Sequence, residues 1–569
     1  MAISFQSTAA WIPGLALSKA HIPIAFKQAV ELHQRGQLSG AQALYMRILA
    51  ADSKHVGTLQ MLGAVAAQSG DFAKAVQWLD QALALTKGDF EMHVQRGFAL
   101  QQLHRLQEAL ESYELALNVQ PRHAETHNNR GVVLHALQRW DDALLAYDRA
   151  LELKPGYAQA LFNKGNALLA LKRRLAALEC FEAAIAQKPD YAKAYINRGV
   201  ALQELQRPNE ALTSYEQAVA LQPFMPEAHF NRGGALQALC RIDDAIAAYE
   251  KAISLRPDYV DAHLFKATAL LLQGEFASGW RSYEWRWGTD DAKKRVRKFS
   301  VPQWTGTESL AGKSILLHCE QGLGDVIQFC RYASIVQSLG ARVILEVHHP
   351  LIDLMQELNG VDVCLALGDG LPDFDYHCPL LSLPLALQTD LETIPATNSY
   401  LKAKPERIES WRQKLGPKTR LRVGMVWSGN PAHAVDYNRS IPLASWFDHA
   451  DLGVEWVSLQ KEVRESDRSA LGMQGLRHFG SELQDMGDTA ALCELMDVVV
   501  SVDTSVAHLS AALGCPTWVL LPKVPDWRWL LGRNDSPWYP SVRLYRQTVD
   551  GDWSDVFARL CVDLAEMAG

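Results

Sequence analysis

The chain has 569 residues, several times the usual domain length of about 100–150 residues, so several domains are expected. Apolar residues make up 48% and charged residues 21%, as in ordinary globular proteins, and the net charge of −8 argues against a general nucleic-acid binder. The nine cysteines form no CxxC pair and no Cys/His metal spacing, which predicts reduced thiols in a cytoplasmic protein. The amino terminus lacks a secretory pattern and no uncharged apolar run reaches about 18 residues, so no transmembrane segment is predicted.

A repeat of 34 residues fills the first half of the chain. It returns four kinds of residue in one register: Pro121, Pro155, Pro189, Pro223 and Pro257; Gly97, Gly131, Gly165, Gly199 and Gly233; Ala75, Ala109, Ala143, Ala177, Ala211 and Ala245; and Tyr113, Tyr147, Phe181, Tyr215, Tyr249 and Tyr283. The pattern resembles the tetratricopeptide repeat, a pair of antiparallel helices with small residues where the helices cross. After a cap segment of residues 1–21, eight repeats are predicted over residues 22–293, starting at Ile22, Val56, Phe90, Ala124, Ala158, Ala192, Pro226 and Val260.

An asparagine stands two residues before four of the signature glycines. This asparagine ladder comprises Asn129, Asn163, Asn197 and Asn231. Asparagine is a mediocre helix former, so helix propensity does not explain its return. The ladder is similar to that of the protein O-GlcNAc transferases, whose amides hold the backbone of an extended peptide. The resemblance implies a groove for a protein or peptide acceptor, and the alternative is a set of solvated polar positions inherited by repeat duplication.

The repeat pattern ends in a tryptophan-rich segment that suits a buried joint, and residues 294–313 are predicted to be a linker. We interpret the basic run KKRVRK as a solvated face rather than a nucleic-acid site. After Lys313, short apolar strands alternate with helical stretches, which predicts parallel sheets with crossover helices. The strands are SILLHC, RVILEV, VDVCLAL and DYHCPL in residues 314–420, and LRVGMVWSG, VEWVSLQ, DVVVSVD and PTWVLLP in residues 421–569. Two Rossmann-like halves with a hinge indicate the GT-B fold, so the predicted class is an α solenoid followed by an α/β GT-B domain.

The first candidate loop, EQGLGDVIQ, follows the first predicted strand. Gly322 and Gly324 allow a tight turn of the backbone, although a GxG pair alone is weak evidence and does not support a classical NAD site. Asp325 opens the following helix. Its carboxylate either faces the cleft or only caps the helix.

The second and third loops follow strands of the second half. In VWSGNPAHAVDYNRS, Ser428 and Asn430 belong to a hydrogen-bonding turn, and Arg439 is a fixed charge suited to a diphosphate. The next strand ends at Gln460 and Lys461, which we add to the donor site.

In SVDTSVAHLS, Asp503 is followed by Thr504 and Ser505, whose hydroxyls and helix-start amides make an anion site. His508 lies one turn further along, and it either serves the site or is a packed or capping histidine.

Together these loops resemble the ADP-heptose:lipopolysaccharide heptosyltransferases, glycosyltransferase family nine, over residues 314–545. The resemblance implies that Asp325 is the catalytic base, that Arg439 meets the donor diphosphate, and that the segment from Asp503 to His508 cradles the nucleotide-sugar phosphates. Ser505 departs from the family, which usually has glycine there. This departure and the differing tail put heptose and a lipid acceptor in doubt.

The expected activity is inverting transfer of a sugar from a nucleotide-sugar to a hydroxyl group, without a cofactor. No DxD motif with a metal role is present, so no metal site is predicted. The favoured acceptor is a serine or threonine of a protein held by the repeats, as in bacterial O-glycosylation, with flagellin as one candidate. A lipid or polysaccharide acceptor, with the repeats docking a partner, and a non-catalytic scaffold are the alternatives, and homo-oligomerisation is left open.

Overall fold

The structure is a computed structural model that describes residues 17–86, 88–433, 436–447, 453–472 and 475–568. The chain forms two compact units, Met1–Phe224 and Met225–Gly569. In the described part of the chain, no helix combines the length and the apolar character needed to cross a bilayer. All nine cysteines lie in described residues, and none of them forms a disulfide.

The first unit is a solenoid of paired helices. They are α1 (Ile22–Gln34), α2 (Leu38–Ala51), α3 (Val56–Gln68), α4 (Phe72–Leu85), α5 (Phe90–Gln102), α6 (Leu106–Val119), α7 (Ala124–Ala136), α8 (Trp140–Leu153), α9 (Ala158–Ala170), α10 (Arg174–Gln187), α11 (Ala192–Glu204) and α12 (Pro208–Leu221). The odd-numbered helices begin at the predicted repeat starts, and the prediction of tetratricopeptide repeats is confirmed.

The signature glycines let an aromatic ring lie against the first helix of each repeat. A Cβ atom on Gly131 would lie 2.5 Å from Cε1 of Tyr147, and one on Gly199 would lie 2.5 Å from Cε1 of Tyr215. Both tyrosine rings are fully buried. A hydrogen atom is therefore the only substituent that fits at these positions.

A methyl group at one of these glycines should destabilise the solenoid. We expect Gly199→Ala to cost about 1–2 kcal/mol net, because overpacking against Tyr215 costs about 1–3 kcal/mol and alanine regains up to about 1 kcal/mol of helix propensity. Gly40→Ala in α2 is the matched control. Its Cβ would meet only Cδ1 of Leu32 at 3.6 Å, so a neutral or stabilising effect is expected. Urea unfolding followed by circular dichroism measures both variants, and equal unfolding midpoints would contradict the packing argument.

The residue that follows each ladder asparagine, or its counterpart, links successive repeats of the first unit. Its cation pairs with a carboxylate 16 residues earlier, on the second helix of the preceding repeat. The pairs are Arg96 with Asp80, Arg130 with Glu114, Lys164 with Asp148, and Arg198 with Glu182. The carboxylates are exposed, so each pair adds little stability, but the pairs recur with the 34-residue period and join each repeat to the next.

The second unit begins with two further helix pairs in the predicted register. They are α13 (Pro226–Ala238), α14 (Ile242–Leu255), α15 (Val260–Gln273) and α16 (Phe276–Tyr283), followed by the short α17 (Asp290–Arg295). In the division into compact units, these helix pairs belong with the α/β part. In the repeat pattern of the sequence, they continue the solenoid. The domain limits inferred from the sequence therefore stay a prediction.

The rest of the second unit contains two parallel sheets. Their strands are β1 (Ser314–His318), β2 (Arg342–Val347), β3 (Val363–Ala366) and β4 (Tyr376–Pro379), then β5 (Arg422–Val426), β6 (Glu455–Ser458), β7 (Arg477–His478), β8 (Val498–Val502), β9 (Thr517–Leu521) and β10 (Val542–Arg546). The strand orders are β3-β2-β1-β4 and β10-β9-β8-β5-β6-β7. All eight predicted strands are present. The sequence missed β7 and β10, which lie at the two edges of the second sheet and therefore lack a continuous buried apolar run.

Helices connect these strands. They are α18 (Leu323–Phe329), α19 (Ala333–Ser338), α20 (Ile352–Met355), α21 (Leu383–Ala386), α22 (Pro405–Leu415), α23 (Asp436–Arg439), α24 (Leu443–Phe447), α25 (Met486–Cys493), α26 (Ser505–Ala512) and α27 (Ser554–Ala568). Strands β1, β5 and β8 thus end immediately before the three candidate loops. The α/β class with parallel sheets, inferred from alternating strands and helices, is confirmed.

The predicted tryptophan joint is present in part. Trp280 of α16 is buried and meets Trp527 edge to face, with ring centroids 5.2 Å apart. Trp304 is also buried. Trp285, in contrast, is 37% exposed and stacks on His263 at 3.8 Å. The end of the repeat array therefore packs against the tail of the chain through some of its tryptophans and not through all of them.

Candidate functional site

The glycine loop, residues 319–325, runs from β1 into α18. The backbone N–H of Gly322 donates a hydrogen bond to Oδ2 of Asp325 at 2.9 Å, so this carboxylate does cap the helix. Its other oxygen, Oδ1, pairs with the guanidinium of Arg528, which also donates to Oδ1 of Asp526 at 2.8 Å. The Asp325 carboxylate therefore has a second function besides capping: it joins the first half to the chain's tail.

Gly324 brings the glycine loop against the third loop. A Cβ atom at this position would lie 3.2 Å from Cδ2 of His508 and 3.5 Å from Cα of Ser505. Helix α18 of the first sheet and helix α26 of the second therefore touch through a glycine. Four predicted site residues, Gly324, Asp325, Ser505 and His508, are brought together here.

His508 lies behind the third loop with a buried side chain. Its Nδ1 is 2.9 Å from the hydroxyl of Tyr539, its Nε2 is 3.8 Å from Oδ1 of Asp503, and its ring stacks on Trp529. Burial, together with the nearby positive charge of Arg528, holds the pKa of His508 well below its usual value. The imidazole is therefore neutral. This placement favours the packed histidine over one that touches a phosphate.

Asp503 is largely buried at the carboxyl end of β8. Burial raises its pKa to about 6, and the neighbouring carboxylate of Asp526 pushes in the same direction. Thr504 is the N-cap residue of α26, and both Thr504 and Ser505 are partly exposed. Thr504 and Ser505 thus keep partial access to solvent, although the Thr504 hydroxyl lies 3.1 Å from Oγ of Ser501, while Asp503 and His508 are more deeply buried.

Arg439 connects the second loop with the third. Its Nη1 donates to the backbone carbonyl of Asp503 at 2.8 Å, and its Nε donates to Oδ1 of Asp436 at 3.3 Å. A Cβ atom on Gly429 would lie 2.6 Å from Nη2 of Arg439, so the glycine lets the loop backbone lie directly on the guanidinium. Arg464 also pairs with Asp436 and donates to the carbonyl of Gly429 at 3.0 Å.

The remaining predicted donor residues are less central. The amide of Gln460 donates to the carbonyl of Ser428 at 3.0 Å, which ties β5 to β6 at their carboxyl ends. Asn430 accepts from the N–H of Ala432 at 2.9 Å in a local turn. Lys461 is exposed and donates to the carbonyl of Gln484 at 2.9 Å, a residue outside the three loops.

Sequence reasoning missed several charged residues of the site. The site contains the cations Arg439, Arg464 and Arg528 and the acids Asp325, Asp436, Asp503 and Asp526, three positive against four acidic side chains. Of these, Asp436, Arg464, Asp526 and Arg528 were not predicted. Lys523 is exposed two residues beyond β9, which pairs with β8, so it lies at the same edge of the sheet as Thr504. In the sequence, Arg528 could have been noticed only as the cation inside the aromatic segment DWRW.

The asparagines of the ladder make hydrogen bonds inside the repeat array. In the first unit, Asn163 Nδ2 donates to Oδ1 of Asn128 at 2.9 Å, and Asn197 Nδ2 donates to Oδ1 of Asn166 at 2.6 Å. Each bond joins neighbouring repeats, and each amide keeps a second N–H. Asn129 is partly buried and accepts from Asn128 at 3.4 Å.

In the second unit Asn231 is also partly buried. The equivalent position of the next repeat is Phe265, which is exposed. The polar series therefore ends in an aromatic side chain at the repeat nearest to the α/β part in sequence.

Comparison with known proteins identifies the repeats. Models of the tetratricopeptide repeat match residues 26–90, 89–156, 158–191, 192–225 and 226–259. Protein FlbA of Caulobacter vibrioides is 28% identical over 333 residues, which are 53% of this chain and 54% of that protein. The chain thus spans about half the length of this curated relative.

Solved structures resemble part of the chain. MamA is 25% identical with a TM-score of 0.28, covering 29% of this chain and 96% of MamA. A tetratricopeptide repeat protein from Parabacteroides merdae is 16% identical with a TM-score of 0.38, covering 44% and 99%. YrrB, described as a repeat protein with an unusual peptide-binding site, is 21% identical with a TM-score of 0.28, covering 32% and 95%. The matches to the repeat models, and not these likenesses, show that tetratricopeptide repeats occupy residues 26–156 and 158–259.

Proposed function

We propose that the chain is an inverting glycosyltransferase whose α/β part is a GT-B domain. The observation that carries this proposal is the meeting of three loops at the carboxyl ends of two parallel sheets, with Asp325 from one sheet and Arg439 and Thr504 from the other. Ligands of open α/β sheets bind at the carboxyl ends of the strands. A cleft between two such sheets suits a nucleotide-sugar donor on one side and an acceptor on the other.

The donor diphosphate is assigned to the second sheet. Asp436 and the backbone carbonyl of Asp503 both bond to Arg439, so its guanidinium group is already oriented before a ligand binds. The amides and hydroxyls at Thr504 and Ser505 supply further donors, and the dipole of α26 favours an anion there. Because acids outnumber arginines in the site, we propose that the exposed Lys461 and Lys523 supply further positive charge for an incoming diphosphate.

Asp325 is assigned the role of general base. The acceptor hydroxyl would attack the anomeric carbon from the face opposite the nucleotide, forming the new C–O bond as the bond to the diphosphate oxygen breaks. The hydroxyl proton passes to the Asp325 carboxylate, and the nucleoside diphosphate leaves with the bonding electron pair. One attack of this kind inverts the configuration at the anomeric carbon. Arg439 and the α26 amides stabilise the charge that grows on the leaving phosphate.

The acceptor is proposed to be a serine or threonine of a protein. The support is the asparagine ladder, whose amides retain donors and acceptors for a peptide backbone besides the bonds between repeats. We propose bacterial O-glycosylation as the setting, with flagellin as one acceptor, because a peptide-binding repeat array joined to a sugar transferase would serve it.

Thermal unfolding tests the donor site directly. UDP-, GDP-, ADP-, dTDP- and CMP-sugars are each added to the wild type, to Arg439→Ala and to Arg468→Ala, an exposed arginine of the same half that serves as control. A ligand at about 100 times its dissociation constant adds about 2.7 kcal/mol to the folded state. We expect one nucleotide to raise the Tm of the wild type and of the control but not of Arg439→Ala. If no nucleotide-sugar changes any Tm, the transferase proposal is wrong and a repeat scaffold becomes the better explanation.

A further inference from the structure

The glycine loop carries a buried acid besides Asp325. Glu320 is the second residue after β1, and its side chain is 8% exposed. Its Oε1 accepts from Nη2 of Arg286 at 3.1 Å and from the backbone N–H of Leu381 at 3.2 Å. Arg286 is 5% exposed and belongs to the turn Glu284–Gly288, directly after α16 of the eighth repeat. The last repeat therefore makes a buried ion pair with the loop that carries the proposed base.

This ion pair is part of a larger hydrogen-bond network. Nη1 of Arg286 donates to Oε1 of Glu284 at 2.5 Å, and Nη2 donates to Oγ of Ser382 at 2.7 Å. The Ser382 hydroxyl in turn lies 2.9 Å from Oε1 of Glu284. Three elements meet in the network: the end of the last repeat, the glycine loop and the turn after β4. A buried arginine shared by two carboxylates costs much to remove, because both acids then lose their counter-charge.

Gln321, the next loop residue, is also held from the last repeat. Its side-chain amide and the hydroxyl of Tyr283 lie within 3.3–3.5 Å of each other. The backbone carbonyl of Gln321 accepts from Nε2 of His348 at 2.6 Å. At the far end of the loop Asp325 is paired with Arg528. All three polar side chains of the loop are thus bonded by residues outside the first α/β half.

We propose that Arg286 and Tyr283 of the last repeat are positioning residues that fix the glycine loop, so that the α/β part depends on this repeat for the placement of Asp325. The catalytic consequence rests on the proposed transferase function. The placement of the loop does not, and it is measured separately.

Charge explains why Arg286 is the dominant contact. Burial raises the pKa of Glu320 to about 7, although Arg286 opposes this effect. The charged groups that face Glu320 are Arg286 and, at longer range, Asp325. Without the arginine, Glu320 either takes up a proton or pulls the loop toward water, and in both cases the loop loses its anchor. A second substitution, Glu320→Gln, removes the stranded charge and should restore part of the order.

Hydrogen exchange of the full-length chain tests the positioning. We expect amides of residues 320–329 to exchange at least about tenfold faster in Arg286→Met than in the wild type, with Arg286→Lys between them. Arg422→Met is the matched control: Arg422 is 4% exposed and pairs with Glu455 at 2.8 Å, but at the amino end of β5, away from the loops. That control should leave the exchange of residues 320–329 unchanged. Arg286→Met/Glu320→Gln should slow the exchange again. Unchanged exchange in Arg286→Met would overturn the proposal.

A milder pair of variants covers the case in which Arg286→Met fails to fold. Tyr283→Phe removes only the hydroxyl next to Gln321, whereas Tyr249→Phe removes the equivalent hydroxyl bonded to Gln237 in the preceding repeat. Only Tyr283→Phe should speed exchange in the loop, and equal effects of the two variants would count against a positioning role.

Turnover separates this inference from the proposed function. In Arg286→Lys we expect kcat to fall about tenfold while the KM for the donor stays unchanged, because the donor binds to the other sheet. If the exchange result holds but the wild type transfers no sugar, the proposed function fails and the loop placement stands. If the wild type transfers sugar but hydrogen exchange of the loop is unchanged in the Arg286 variants, the positioning role is wrong and the proposed function stands.

Discussion

Asp325→Asn is expected to lower the rate of sugar transfer by about 10²–10⁴ while donor binding stays intact, because general-base contributions lie in that range. Asparagine keeps an oxygen for the N–H of Gly322, so the helix cap survives. The asparagine side chain cannot, however, take up the proton of the acceptor hydroxyl. Single-turnover transfer with the donor identified by thermal unfolding measures the effect, and an unchanged Tm shift by that donor shows that the donor site persists.

The control for this variant removes the other acid beside Arg528. Asp526→Asn leaves Asp325 in place but also takes a charge partner from the same guanidinium. If Asp325 is the base, Asp526→Asn should cost much less than Asp325→Asn. Equal losses would mean that both acids act only by holding Arg528, and near-wild-type transfer by Asp325→Asn would remove Asp325 from the chemistry.

Arg528→Met is expected to destabilise the second unit by about 3 kcal/mol, since it strands the largely buried carboxylate of Asp325, while the carboxylate of Asp526 is partly exposed and contributes less. Transfer should fall with it, because Asp325 loses the partner that fixes its orientation. Arg533→Met is the matched control on the same segment. It pairs with the exposed Asp535, so a cost below about 1 kcal/mol is expected. Urea unfolding, followed by the fluorescence of the neighbouring tryptophans, measures the stability of both variants.

A double-mutant cycle assigns the cost to the ion pair. Asp325→Asn/Arg528→Met should be more stable than Arg528→Met alone, because one of the two stranded charges is gone. Transfer should remain lost in the double variant, since the base is absent. Strict additivity of the two unfolding free energies would contradict a direct coupling between Asp325 and Arg528.

The asparagine ladder illustrates how a sequence pattern can have more than one physical cause. The period of 34 residues and the polar character were visible, and they suggested either a peptide groove or solvated positions. The structure adds a third use, since Asn163 and Asn197 bond to asparagines of the neighbouring repeat. Both donors of a side-chain amide can be used at once, so this finding leaves the proposed peptide groove compatible with the contacts.

The sequence by itself determined the local and periodic features of this protein. Each tetratricopeptide repeat contacts mainly its neighbours, so the same small and aromatic residues must return at a fixed interval, and the helix starts follow from them. Central strands of a parallel sheet are buried on both faces, so they stand out as apolar runs, and the loops at their carboxyl ends follow directly. Gly324, Asp325, Arg439 and Ser505 were identified in this way.

Only the tertiary structure decided which distant residues meet. Arg528 lies 203 residues from Asp325, and Arg286, at the end of the eighth repeat, lies 34 residues from Glu320 and outside the four recurring positions of the repeat, yet both pairs are largely buried. A single ion pair between remote segments leaves no period in the sequence. Burial, likewise, depends on the whole fold: it placed His508 behind the loop rather than at its surface. The sequence therefore indicated where the candidate site lies, and the packing of three separate segments determined which charges surround it.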